Sequence, residues 1–370
     1  MISYIQKMAF WKSYPPGTSG ATPVMPEQRI SGKTQKQFLN YIHYFRGIAI
    51  LFVVGGHAYL TLNWNKGSFS QIFFDSLWQN GSVLFVFIAG FLFQHLSWKF
   101  EYKRYLKTKA LNVLLPYLII STPELIYRLY TNRFTDFSVS ENPDIYSWTI
   151  THKLWYLLSH GAHLPQLWFV PMIIIFYLIA PLLIYMDRHP KLYYTLFISI
   201  AVSLLVERKP FSNIPKMFVH FFSVYQFGMF ISHYREQFMT FAKKNWVLIS
   251  ILSIGAFIAT LVFYTDYSYP LNYIHKMLFC VFFLYWSWRL DKYIPRFLGY
   301  LAEISFGIFF VHYYFNIIYY TLCLHFYPAA KRGTALTWLF CLIFVIIGSV
   351  ALIEMIKKVF PNRHRNIVGC

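Results

Sequence analysis

Arg46 and His57 stand eleven residues apart in Arg46-Gly47-Ile48-Ala49-Ile50-Leu51-Phe52-Val53-Val54-Gly55-Gly56-His57, a run with no other charged side chain. A guanidinium grips phosphate or carboxylate through its fork of N–H groups. An imidazole takes a proton from a hydroxyl or carries an acyl group transiently. At about 100° per residue, a helix returns positions eleven apart to within about 20° of one another. Its rise separates them by about 16 Å, roughly half of a bilayer's hydrocarbon core. One face of one membrane helix thus presents a cation and a titratable ring, both costly to bury in lipid and functional by default. The plain alternatives are an arginine snorkelling to headgroups and a histidine satisfied by a neighbouring helix. The shared face, and the close approach that Gly55-Gly56 permits, favour function.

Other groups invite the same weighing. The loop 98–109 carries Lys103, Arg104, Lys107 and Lys109. On charge alone it is a positive-inside anchor, although Lys107 and Lys109 suit an anionic cofactor on that side. Glu124 follows Pro123 in an apolar stretch, with Arg128 one turn later as its natural ion-pair partner. His312 lies about two turns beyond Ser305 on roughly the same face, where helix packing is its plain role. Glu303 falls near an interface and is expected to be solvated. No Walker motif, GxGxxG, HExxH or nucleophile elbow occurs. This argues against an ATP-driven pump or a zinc protease and leaves an ion-coupled transporter open.

The elements that must position these groups follow from composition. Of 370 residues, 57% are hydrophobic and 13% charged, against about 25% charged in soluble domains. Long continuous apolar runs exclude the alternating pattern of a β-barrel. The fold class is all-α, a polytopic transmembrane bundle. About ten spans are predicted, at 41–62, 72–97, 110–129, 166–186, 192–206, 217–233, 246–264, 271–288, 298–320 and 335–356. On this topology 22 of the 33 Lys and Arg residues fall on the side that holds both termini, which makes the termini cytoplasmic. The net charge of +19 therefore reflects topology and not nucleic-acid binding. Residues 1–40 read as a mostly disordered cytoplasmic tail, 41–356 as the membrane domain and 357–370 as a basic cytoplasmic tail. The outer loop at about 130–165, with His152, His160 and His163, is expected to hold an interfacial or re-entrant helix near 148–158 and to form a vestibule for a large acceptor. Cys280, Cys323, Cys341 and Cys370 have neither CxxC nor metal-like spacing, so no disulfide and no metal site is inferred.

Four segments resemble the acyltransferase family 3 membrane proteins, which include bacterial O-acetyltransferases of surface polysaccharides. They are Tyr44-Phe45-Arg46 through His57, with the family's Arg-then-ten-then-His element; Gly81 through Leu92; Leu167-Trp168-Phe169-Val170-Pro171 with Tyr177 and Pro181; and Ile304-Ser305-Phe306-Gly307 through His312. They occur in the family's order within residues 41–350. The resemblance implies an enzyme of the bacterial cytoplasmic membrane that moves an acetyl group from cytoplasmic acetyl-CoA to a hydroxyl of a lipid-linked or cell-surface glycan. It implies that His57 is catalytic, as general base or acyl carrier, with Arg46 in support. Arg46, Lys107 and Lys109 are expected to meet the CoA nucleotide, and Glu124, Trp168 and His312 the acceptor. Where the family has arginines just before the Pro-Tyr of span three, this chain has Leu111 and Asn112. The chain has no room for the outer hydrolase-like domain of some members, so it is expected to act alone or with other glycan-assembly proteins. Besides membrane lipids, acyl-CoA and glycan are the expected partners. A succinyl donor is the rival within the family, and a polysaccharide or solute transporter the rival outside it.

Overall fold

Apolar runs away from water fold as helices because a helix pairs its backbone groups within one segment. The computed structural model describes residues 32–206, 208, 213–265 and 269–370. Residues 37–370 form one unit, and of the other, 1–36, only the stretch from Gly32 is described. The tail expected over 1–40 lies outside the described residues as far as 31, and from Gly32 the chain is helical. The helices are α1 Gly32–Thr61, α2 Phe69–Trp78, α3 Ser82–His95, α4 Tyr102–Lys109, α5 Leu115–Thr131, α6 Asp136–Glu141, α7 Ile150–His160, α8 Phe169–Leu178 and α9 Ala180–Arg188. There follow α10 Thr195–Leu205, α11 Ile214–His233, α12 Arg235–Lys244, α13 Trp246–Val262, α14 Tyr269–Arg289, α15 Arg296–Glu303, α16 Ser305–Phe326, α17 Ala335–Val359 and α18 His364–Val368. Among the described residues the only β-type pairing is an isolated parallel bridge between Asn63 and Arg332.

Five stretches are long and apolar enough to cross a membrane: Asn40–Thr61, Phe69–His95, Tyr102–Thr131, Ser305–Phe326 and Ala335–Val359. The bent pairs α8–α9 (57°) and α12–α13 (86°) bring the number to seven if each pair crosses once. This is fewer than the ten expected from the sequence, for identifiable reasons. The expected spans at 217–233 and 271–288 are α11 and α14, in which His220, Gln226, His275 and Lys276 are buried polar groups within the helix. The stretch at 192–206 is α10, which even with its preceding 3-10 turn is a shorter apolar helix, Pro190–Leu205. The helix expected near 148–158 is α7, capped by the Thr149 hydroxyl, which accepts from the His152 N–H.

The core is built from closely packed aromatic rings, with Phe45, Phe87, Phe91, Phe176, Phe221 and Phe310 fully buried. At its centre α3 crosses α11 with backbones in contact. A methyl at Gly90 would collide with the Tyr225 carbonyl, and one at Gly228 with the Phe87 carbonyl, so this crossing requires glycine on both helices. The outward faces of α13 (Ile251, Leu252, Ile258) and α17 (Leu339, Phe340, Ile347) are exposed and apolar, as lipid-facing surfaces are. The basic C-terminal stretch expected as a tail contains α18, whose Val368 is fully buried. A methyl at Gly369 would meet Phe306 of α16.

Candidate active site

α1 and α16 run side by side in the same direction, and their polar residues meet in three steps. Arg46 donates to the Ser305 hydroxyl at 3.0 Å. The rings of His57 and His312 stand 5.1 Å apart between centroids. The Thr61 hydroxyl lies 3.0 Å from Asn316 Oδ1. From Arg46 to His57 the helix rises about 16 Å, but from Ser305 to His312 only about 10 Å. The long arginine side chain covers the difference.

Each of the two histidines has a ring nitrogen without a partner. His312 Nδ1 lies 2.9 Å from the carbonyls of both Ile308 and Phe309. Carbonyls only accept, so Nδ1 carries the proton and the neutral ring leaves a lone pair on Nε2. That Nε2 is buried with no hydrogen-bond partner. His57 Nδ1 is likewise buried without a partner, while its ring packs edge-on against Tyr313 at 5.4 Å and lines a cavity. Buried polar atoms in native proteins are nearly always paired. Two unpaired nitrogens thus stand on adjacent rings, one of them beside a cavity, and leave hydrogen-bonding capacity open there.

The cavity encloses about 450 Å³. One wall is α1, at Phe52, Val53, Gly56 and His57, and a second is the break between α2 and α3, at Trp78 through Ser82. Close contact locks these walls together. A methyl at Gly56 would stand 2.9 Å from the Trp78 carbonyl, and one at Gly81 3.0 Å from Phe52. Trp338 of α17 stacks on Trp78 at 4.7 Å and donates to the Gly55 carbonyl at 3.0 Å. The last turn of α2 is held by Lys276, a fully buried cation on α14 that donates to the carbonyls of Ser76 and Leu77. A cation there satisfies carbonyls that the ending helix leaves free. Trp168 forms a third wall, stacked on Phe221, with the Arg208 guanidinium 5.2 Å above its ring. Asp75, an acidic side chain on the lining, accepts from the Tyr264 hydroxyl at 3.0 Å.

Of the residues singled out in the sequence, His57 and Trp168 line this cavity, and His312 supports the His57 ring from behind. Arg46 lies at the far end of the same helix face with Ser305. Lys107 is exposed on α4, and the Lys109 ammonium sits 4.7 Å from the Tyr177 ring. Glu124 is paired with Arg128 at 2.6 Å, the local ion pair its spacing suggested, and does not line the cavity. Lys276, Arg208 and Asn80 are polar groups of the site that the sequence does not single out: the first two read as flanking positive charge, and Asn80 lies inside the predicted span 72–97. Asn80-Gly81 did carry a signal, being a turn dipeptide within an apolar stretch.

The family model described as an acyltransferase domain (acyltransferase family 3) matches residues 39–354. No curated protein and no solved structure matches the chain.

Proposed function

The chain belongs to acyltransferase family 3, and from that premise we propose that this multi-pass membrane protein moves an acetyl group from cytoplasmic acetyl-CoA to a hydroxyl of a lipid-linked or cell-surface glycan. The observation that carries this reading is the His57 ring, with an unpaired nitrogen, on the wall of a cavity large enough for a sugar unit. Family membership sets acyl transfer above the transporter reading.

The bacterial cytoplasmic membrane is the proposed site of action, with ten crossings and both termini inside. α11 and α14, of 20 and 21 residues, are long enough to cross despite their buried polar groups. Arg46 then lies toward the cytoplasm and His57 toward the outside. The nucleotide of the donor sits near Arg46, Lys107 and Lys109, and its long arm follows α1 to bring the thioester to His57. The acceptor enters from the outer face beside Trp168, with Glu124–Arg128 holding the outer end of α5. His57 takes the proton of the attacking hydroxyl and returns it to the departing CoA thiolate. Its alternative role, as acyl carrier, uses the same ring. His312 keeps that ring in place.

Mass spectrometry of surface glycans from cells with and without the protein tests the proposal. The expected result is a glycan heavier by one acetyl group only when the protein is present. A succinyl increment would correct the donor, and identical glycans would overturn the function.

A further inference from the structure

We infer that the N-terminal end of α3, with Asn80 just before its Gly81 N-cap, is an oxyanion-binding site in the cavity that His57 also lines. Asn80 is 6% exposed, lines the cavity, and leaves both Oδ1 and Nδ2 without a partner. Its backbone is left-handed, with φ of 62°. Such a conformation together with a fully unpaired buried amide costs stability twice over, and persists where the surroundings or a ligand require it. The surroundings are rigid here, because Gly81 is pressed on Phe52 and Lys276 grips the preceding turn.

The same wall is rich in hydrogen-bond donors. Trp78 Nε1, a donor only, and the Ser82 hydroxyl are both buried and unpaired, and Arg208 adds a cation to the lining. α3 is 14 residues long, and no side chain caps its N-terminus. The positive end of its dipole therefore adds to the donors at the point where Asn80 stands. Donors fixed in a site that excludes water stabilise developing negative charge best.

This inference rests on the acyl-transfer reading. The acceptor oxygen forms a bond to the thioester carbonyl carbon while its proton passes to His57. The carbonyl π pair moves onto oxygen, giving a tetrahedral oxyanion that accepts from Asn80 Nδ2. When that pair returns, the C–S bond breaks and the thiolate takes the proton from His57. Asn80 Oδ1 is left to accept from a neighbouring hydroxyl of the acceptor.

The test measures acetyl transfer from acetyl-CoA to endogenous glycan in membranes carrying the full-length protein, wild type against Asn80→Gly and Asn80→Asp. Glycine keeps the left-handed backbone and removes only the amide. Aspartate keeps the shape and places a carboxylate against the oxyanion. Asn80→Gly is expected to lower kcat about 10²–10³-fold with the KM for acetyl-CoA unchanged and thermal stability retained. Asn80→Asp should be slower still. Wild-type turnover in Asn80→Gly, or an aspartate variant faster than the glycine one, would overturn the oxyanion site while leaving the role of His57 standing. Absence of transfer by the wild-type protein, with the same glycan and donor, would overturn both readings.

Discussion

Two buried histidine settings in this molecule use the same side chain to opposite ends. His163, in the loop after α7, has both nitrogens bonded: Nδ1–H donates to the Leu157 carbonyl at 2.9 Å, and Nε2 accepts from the Ser121 hydroxyl at 2.7 Å. Arg128 donates to the carbonyl of His163 at 3.0 Å. Every valence is spent on joining α5, α7 and the loop to α8, so the ring acts as a structural joint. His312 is equally buried and His57 is partly buried on the cavity wall, yet each keeps a nitrogen in reserve. The comparison teaches that burial alone says little about a histidine. What distinguishes a reactive ring is an unspent nitrogen beside a space for a second molecule.

The comparison can be broken or sharpened by substitution. His57→Ala is expected to reduce acetyl transfer to background, a loss of at least about 10²–10⁴-fold, in a protein that still inserts and folds. Labelled acetate appearing in glycan at the normal rate would make His57 another joint. His312→Phe keeps an aromatic ring against His57 but removes the lone pair of Nε2. A fall of about 10–100-fold in kcat, without a change in melting temperature, is expected if that nitrogen serves the reaction. Arg46→Lys keeps the charge but loses the planar fork. An approximately tenfold rise in the KM for acetyl-CoA should follow, and unchanged donor affinity would reduce Arg46 to an anchor for α16.

The joint should behave in the reverse sense. His163→Phe strands the Ser121 hydroxyl, while the Leu157 carbonyl keeps the N–H groups of Gly161 and Ala162, at a cost of about 1–3 kcal/mol in stability. Thermal unfolding in detergent would show it, with kcat per folded molecule unaltered. The joint also has a pH signature, because burial pushes the His163 imidazole down to about 4. The unfolded ring binds its proton near pH 6.5. Stability contributed by the neutral ring is therefore complete above about pH 6.5 and declines as pH falls toward 4, by up to about 3 kcal/mol. Replacing His163 should flatten that slope of melting temperature against pH. A slope that survives in His163→Phe would assign it to other groups.

How much of this was legible beforehand depended on range. The Arg46–His57 face rests on helix periodicity over three turns, and the Glu124–Arg128 pair on a spacing of four. Both are local, and both appeared as the residues suggested. The break at Asn80-Gly81 was equally local, but the apolar residues on each side outweighed one turn dipeptide. Lys276 and Arg208 carried no readable sign at all. A lysine at a predicted span end normally snorkels. This one is buried because α14 lays it against the carbonyls closing α2, 199 and 200 residues away in sequence.

Apolar runs, charge asymmetry and the eleven-residue spacing decide that this chain is a helical membrane protein with a histidine and an arginine on one face, since those properties depend only on neighbours within a few turns. The pairing of α1 with α16 and the unspent nitrogens come from contacts between helices hundreds of residues apart, and tertiary packing alone brings Arg208 to the wall that holds Trp78, Asn80 and Ser82. No single helix specifies them, because a helix satisfies its own backbone but leaves its side chains to be completed by whatever packs beside it.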